Sequence, residues 1–156
     1  MKISNETEIL AESPLFCRVD RGQLKLMALM AESRTFHEGE TLMVQGEEGD
    51  SAYVILEGEA EVLVRVGGHD TPVARLGPRD IVGEMALLTE TPRSATVRAC
   101  GTLRALRLDR ATLMRCLQEF PCMALELLKV MTVRLERTTQ ELARTRAELE
   151  EMRAGG

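Results

Sequence analysis

Between Arg34 and Leu108 the chain consists almost wholly of short runs with a period near two, each stopped by a glycine-bearing turn. Thr41–Val44, Ala52–Leu56, Ala60–Val66, Pro72–Leu76, Ser94–Ala99 and Thr102–Leu108 are the clearest runs, and 61–66 (E-V-L-V-R-V) alternates best. A two-residue period puts successive side chains on opposite faces of a strand, so each run predicts a strand with one inward face. The turns fall at Gly46–Asp50, Gly67–Asp70 and Gly77–Asp80. Strands this short and evenly spaced predict a small antiparallel roll or barrel.

The flanks change period. Leu24, Met27, Ala28 and Ala31 share one helical face, and Asp20 with Gln23 suggests a capping box at its start. Beyond the strands, Asp109 is a good N-cap for a short helix over Arg110–Gln118. Pro121 suits the first turn of another helix, where its missing N–H costs nothing. That last helix is expected from about Cys122 to Met152, roughly 45 Å long. Leu128, Leu135, Leu142 and Leu149 recur along it every seventh residue, with Met131, Thr138, Thr145 and Met152 three places later. This is an a/d seam, and in a parallel pair Glu141 would meet the partner's Arg146 and Glu148 the partner's Arg153. The seam predicts a homodimer; the other reading is one amphipathic helix packed on its own domain.

Composition narrows the function. There are 156 residues, which suits a single domain, and 44% are apolar, enough for a sizeable core. The net charge is −5, and no stripe is basic, so no nucleic-acid binding is expected of this chain alone. No segment approaches a membrane span, and the polar N-terminus predicts no secretory leader. The four cysteines, Cys17, Cys100, Cys116 and Cys122, form no C-x-x-C pair; with only His37 and His69 beside them, no metal site is expected. They read as reduced, mostly buried thiols of a cytoplasmic protein, and the two histidines as surface or turn residues. No nucleophile–histidine–acid set appears, so the chain reads as non-enzymatic.

The stretch 82–97, V-G-E-M-A-L-L-T-E-T-P-R-S-A-T-V, carries chemistry. Gly83 permits close backbone approach, and a single helical turn over Glu84–Leu88 offers its first free N–H groups. Arg93 then returns a fixed positive charge. A helix start plus an arginine can hold an anion. Glu84 would repel a phosphate there unless something lay between them, and a sugar diol would serve. Taken alone, the spacing also fits a surface turn with ordinary charges.

The same stretch resembles the phosphate-binding cassette of the cyclic-nucleotide-binding domain family. Upstream, 46–58 (G-E-E-G-D-S-A-Y-V-I-L-E-G) is similar to that family's strand–turn motif, and Ser13–Phe16 to the start of its N-terminal helical segment. The resemblance covers about residues 13–140. It implies an α+β, mainly β fold: an antiparallel β-roll (a jelly-roll-like double-stranded β-helix) flanked by N-terminal helices and a long C-terminal helix. The expected division is a binding domain over 1–120, with a helical segment 1–33, a roll 34–108 and a short helix 109–120, followed by a lid and dimerisation helix over 121–153.

The family's site is carried over residue by residue. The resemblance implies that Glu84 accepts from the ribose 2′-OH and that Arg93 pairs with the cyclic phosphate. Ser94 and the backbone N–H groups of Met85, Ala86 and Leu87 would help hold that phosphate, while Gly83 lets the backbone approach the sugar. Val62, Val73 and Ala74 would wall the base. Val82 stands where many members carry Phe, which reduces packing bulk. The last helix is similar to the dimerisation helix of the bacterial catabolite activators, which places Arg134, Thr138 and Thr139 near the base, one hydroxyl coming from the partner; Thr138 otherwise merely fills the seam. A helix-turn-helix domain, which follows in those regulators, is not expected here. The chain is therefore expected to be a cyclic-nucleotide sensor, for cAMP in preference to cGMP, working by docking of its last helix. A dimeric scaffold or regulatory subunit with a vestigial pocket, or a cGMP-selective sensor, is the alternative, and an acidic surface leaves room for a downstream protein partner.

Overall fold

Six consecutive residues, Ser51–Leu56, are buried, and they explain the architecture. Ala52, Val54 and Leu56 face a core shared with the helices, while Tyr53 and Ile55 face a second core inside a β-roll. A strand buried on both faces loses its alternation of apolar and polar residues and reads as a continuous apolar run. The computed structural model describes residues 10–11 and 20–155. The expected Ser13–Phe16 segment and Cys17 lie outside the described residues.

Helix α1 (Arg21–Met30) leads into β1 (Glu32–Phe36), β2 (Thr41–Met43), β3 (Ser51–Val66), β4 (His69–Leu76), β5 (Ile81–Val82), helix α2 (Glu84–Thr89), β6 (Thr96–Asp109), α3 (Arg110–Glu119) and α4 (Pro121–Gly155). The strands form one antiparallel sheet in the order β1-β6-β3-β4, with β2 on β6 and β5 on β3. This is the mainly β, helix-flanked roll expected. Its interior packs Phe36, Met43, Ile55, Val97 and Leu103, and Phe36 meets Tyr53 edge to face with ring centroids 5.9 Å apart. Outside the roll, Leu24 and Met27 of α1, Leu113 and Cys116 of α3, and Met123 and Leu127 of α4 cover the sheet.

Several elements differ from the sequence expectation. Runs 52–56 and 60–66 are one strand, and the run 94–99, from Thr96 on, joins 102–108 in another. At Gly58 (φ 88°) the register with β6 shifts between Ile55 and Glu57 and again between Glu57 and Glu59, with Gly101 (φ 81°) opposite. A bulge bends a strand and keeps its direction, whereas a turn reverses it; glycine alone does not tell the two apart. A Cβ on Gly58 would strike the Thr102 carbonyl, so the bend requires that residue. β1 begins at Glu32, inside the stretch read as helical, and buries only Phe36, so it shows no alternation. β4 starts at His69 and carries Pro72, which an edge strand tolerates.

The Asp20 capping box does not form. Asp20 occupies the N-cap position of α1, but its side chain makes no capping hydrogen bond. Among the described cysteines, only Cys116 is buried; Cys100 and Cys122 are half-buried, and all three are free thiols, so the expectation of mostly buried thiols is corrected. His37 and His69 are exposed. No helix among the described residues is long and apolar enough to cross a membrane.

Asp109 does cap α3: its Oδ1 accepts from the Thr112 N–H at 2.8 Å. That bond holds the Asp109 carboxyl below its ordinary value. A depressed carboxyl stabilises the fold above the unfolded-state pKa, and the contribution is lost as pH falls through the folded one. Asp109→Ala should therefore cost about 1 kcal/mol at neutral pH, and the gap to wild type should shrink as the pH is lowered below about 4. Urea midpoints across that range check both the size and the sign.

Candidate functional site

One wall of the site is built by a left-handed glycine. Gly83 (φ 88°) precedes α2, and a Cβ there would come within 2.6 Å of Arg93 Nη1 and 3.1 Å of the Ser51 carbonyl. Gly49 does the same from the other side, since a Cβ on it would collide with Ala86 and reach 3.1 Å from Arg93 Cζ. Both motifs noted in the sequence meet here. The Gly46 N–H donates to the Arg93 carbonyl at 2.9 Å, and the Arg93 N–H to the Glu47 carbonyl at 2.8 Å.

Into this gap goes the Arg93 side chain, 6% exposed. Nη1 donates to the Gly83 carbonyl at 2.9 Å and Nη2 to the Ser51 carbonyl at 2.6 Å. Both acceptors are neutral. Burial accordingly pulls the guanidinium below its ordinary value, and an anion beside it would offset that cost. Glu84 is buried too, at 3% exposure. Its Oε1 accepts from Arg134 Nη1 at 3.0 Å, while Arg134 Nη2 donates to the Ile81 carbonyl at 2.9 Å. Burial raises the Glu84 carboxyl above its usual range, against the pull of Arg134 and Arg93.

These groups border a cavity of about 310 Å³. Of the residues singled out in the sequence, Val62, Val73, Ala74, Gly83, Glu84, Met85, Ala86, Arg93, Ser94, Arg134 and Thr138 line it. Two do not. Leu87 turns its side chain into the core beneath the helices, which leaves only its backbone N–H for a ligand. Thr139 is exposed and lies off the cavity, because one helical residue rotates it about 100° from Thr138. Val82, noted in the sequence as the position where many members carry Phe, lines it too, while sequence reasoning missed Met43, Arg75, Leu76, Ala95, Val97, Arg137 and Glu141 as cavity residues. For Arg137 and Glu141 a signal existed: they continue the helical stripe that begins at Arg134, three and seven residues on. Among the described residues no group of acidic, histidine or cysteine side chains could hold a metal ion.

A model of the cyclic nucleotide-binding domain family matches residues 33–120. The CRP-like cAMP-activated global transcriptional regulator of Mycobacterium tuberculosis is 29% identical over 137 residues, covering 87% of this chain and 61% of that protein. The chain thus spans about three fifths of the length of this curated relative. Among solved structures, the catabolite activator protein of Thermus thermophilus superposes with a TM-score of 0.75 at 29% identity, covering 83% of this chain and 62% of the other. The regulatory domain of Toxoplasma gondii PKA, solved with cAMP, gives 0.67 at 28% identity, covering 73% and 44%.

The raised Glu84 carboxyl has a consequence for stability. A group whose folded pKa exceeds its unfolded value binds more protons in the native state, so its contribution is present at low pH and lost as pH rises through the folded pKa. Glu84→Gln removes this titration. The stability of the variant relative to wild type should rise with pH above the ordinary glutamate range, in the absence of nucleotide. Urea midpoints of the two proteins compared at several pH values test this; a constant difference would contradict the assigned burial cost.

Proposed function

The chain belongs to the cyclic nucleotide-binding domain family, and on that premise we propose that it is a non-enzymatic sensor of a cyclic purine mononucleotide, cAMP in preference to cGMP. The observation that carries the reading is the buried Arg93 guanidinium, hydrogen-bonded to two neutral carbonyls at the edge of a cavity. A singly charged cyclic phosphate supplies the missing counter-charge. Ser94 and the N–H groups of Met85, Ala86 and Leu87 add donors to it, and Gly83 admits the sugar. Glu84 accepts from the ribose 2′-OH, with the ribose separating carboxylate from phosphate. Val62, Val73 and Ala74 face the base.

In this reading residues 1–120 form the binding unit and 121–153 the lid. Arg134 joins the two, since it leaves α4 to reach both Glu84 and the Ile81 carbonyl beside α2. A nucleotide that adds contacts to the docked helix shifts the population toward it; without such differential contacts there is no switch. The free thiols of Cys100, Cys116 and Cys122 fit a reducing, cytoplasmic setting.

Calorimetric titration with cAMP, cGMP and AMP tests the reading. The cyclic nucleotides should bind and AMP much more weakly, because AMP carries a second phosphate charge and, among the described residues lining the cavity, Arg93 is the one buried cation. Arg93→Ala should weaken cyclic-nucleotide binding by roughly a hundredfold or more, the effect of deleting one member of a buried hydrogen-bonded charge pair. Unchanged affinity in that variant would refute the phosphate role.

Dimerisation through α4 is part of the same proposal. Leu128, Leu135, Leu142 and Leu149 are 62%, 67%, 54% and 49% exposed, a stripe of leucines facing solvent along the helix. Burying each against a second copy is worth about 1.5–3 kcal/mol. Replacing both Leu135 and Leu142 with Asp should yield monomers, because the charges cannot be desolvated in the seam. Thr139, off its own cavity, is where a partner's hydroxyl would come from, so the monomers should also bind nucleotide more weakly. Light scattering combined with titration reads both; a variant that stays dimeric would place the interface elsewhere.

A further inference from the structure

Two residues outside the cavity meet at the far end of α2. Glu90 closes that helix in the left-handed region (φ 54°, ψ 35°), which a residue other than glycine enters only at a cost. Its Oε1 accepts from Nη1 of Arg110, the first residue of α3, at 2.9 Å. The other arm of the same guanidinium goes to a different part of the chain: Nη2 donates to the Gly49 carbonyl at 3.3 Å. The Arg110 backbone N–H adds a bond to the Asp50 carbonyl at 3.2 Å. Arg110 thereby grips both flanks of Arg93. On one flank, Gly49 and Asp50 run into Ser51, whose carbonyl holds Arg93 Nη2, and Gly49 packs so close that a Cβ on it would crowd the Arg93 guanidinium. On the other, α2 follows Gly83, whose carbonyl holds Arg93 Nη1.

We propose that Arg110 is a positioning residue for the anion site: by clasping Glu90 and Gly49 together it sets the angle of α2 against the loop before β3, and with it the aim of Arg93 into the cavity. The inference rests on the nucleotide reading above and deepens it. Helix α2 has six residues and is about 9 Å long. A tilt of about 10° at the Glu90 end would move the Gly83 end by roughly 1.5 Å, whereas a binding constellation must hold to within about 0.5 Å. The planar guanidinium suits the task, because its fixed fork serves two acceptors at once, which a lysine ammonium does not. The clasp also accounts for Glu90. Glycine would fit the left-handed backbone better, but it would leave Arg110 without a carboxylate. The two side chains are 41% and 75% exposed, and an ion pair so open to water contributes little to folding. Substitutions here therefore separate positioning from stability.

The test is titration of the protein with cAMP and cGMP, beside urea midpoints measured without nucleotide. Arg110→Ala should weaken both ligands about five- to tenfold, and by the same factor, because the clasp acts on the phosphate end that the two share. Arg110→Lys, which keeps the charge and one acceptor, should lose only about two- to threefold. Glu90→Gly keeps the left-handed backbone and removes the carboxylate, so binding should weaken about threefold while the urea midpoint stays near that of wild type. In the Glu90→Gly background Arg110→Ala should cost less than it does alone, since the pair acts as a unit. Unchanged affinities in Arg110→Ala and Glu90→Gly, or a loss confined to one nucleotide, would overturn the role of Arg110 and leave the nucleotide reading in place. So would losses that follow the urea midpoints, with Arg110→Lys no better than Arg110→Ala. If wild type bound neither nucleotide, the nucleotide reading itself would fall, and this inference with it.

Discussion

The Arg93 guanidinium holds together parts of the chain that are far apart in sequence. Through the carbonyls of Ser51 and Gly83 it ties the first residue of β3 to the start of α2, and its own backbone pairs with the loop at Gly46 and Glu47. A buried cation needs this many fixed dipoles, because each unmade hydrogen bond inside a protein leaves a desolvation cost uncompensated. Space for it comes from two glycines. Gly49 lets α2 close over the loop, and Gly83 adopts a backbone angle that side chains disfavour. The same geometry leaves the cation at a cavity edge, where a bound anion would offset the cost of its burial.

The roll explains why the arrangement is stiff. β3 and β6 pair along most of their lengths, and both bury residues on the two faces of the sheet. The bulge at Gly58 turns this pair, so that its first half packs under the helices while the second half, with β4, reaches the cavity through Val62 and Ala74. One continuous strand therefore carries both the core that anchors α3 and α4 and the wall proposed to meet the base. Met123 and Leu127, near the start of α4, are its buried residues and anchor it to that core.

What the sequence disclosed, and what it concealed, follows from range. The cassette is a continuous segment, so Gly83, Glu84, Arg93 and Ser94 could be identified together from spacing and resemblance. The Asp109 cap was visible because its hydrogen bond spans only three residues. Gly49 was legible as part of a motif, yet its role depends on Ala86 and Arg93 packing against it, which only the fold arranges. Met43, Arg75 and Val97 reach the cavity from three different strands and share no local pattern. β1 was concealed because four of its five residues are exposed, leaving nothing periodic to detect. Asp20 failed in the opposite way: it had the right residue type for a cap, and the side chain makes no such bond.

Helix α4 presents two stripes at once, each with a proposed role. Leu135, Leu142 and Leu149 form one, exposed in the single chain; Arg134, Arg137, Thr138 and Glu141 form the other, against the cavity. Residues 134 and 135, like 141 and 142, are sequence neighbours about 100° apart around the axis, so the stripes adjoin rather than oppose each other. In the heptad, Thr138 belongs to both. A rotation or shift of α4 that improves one contact surface must therefore move the other. Arg134 resists such motion with two hydrogen bonds, but one of them ends on Glu84, the carboxylate proposed to take the ribose. Ligand and helix thus compete for, or share, a single buried acceptor group. In the proposed reading, occupancy of the cavity would alter the free energy of the docked helix, and through the adjoining stripe that of the proposed pairing with a second copy. That is the differential contact a population shift requires, and it arises from two helical residues side by side.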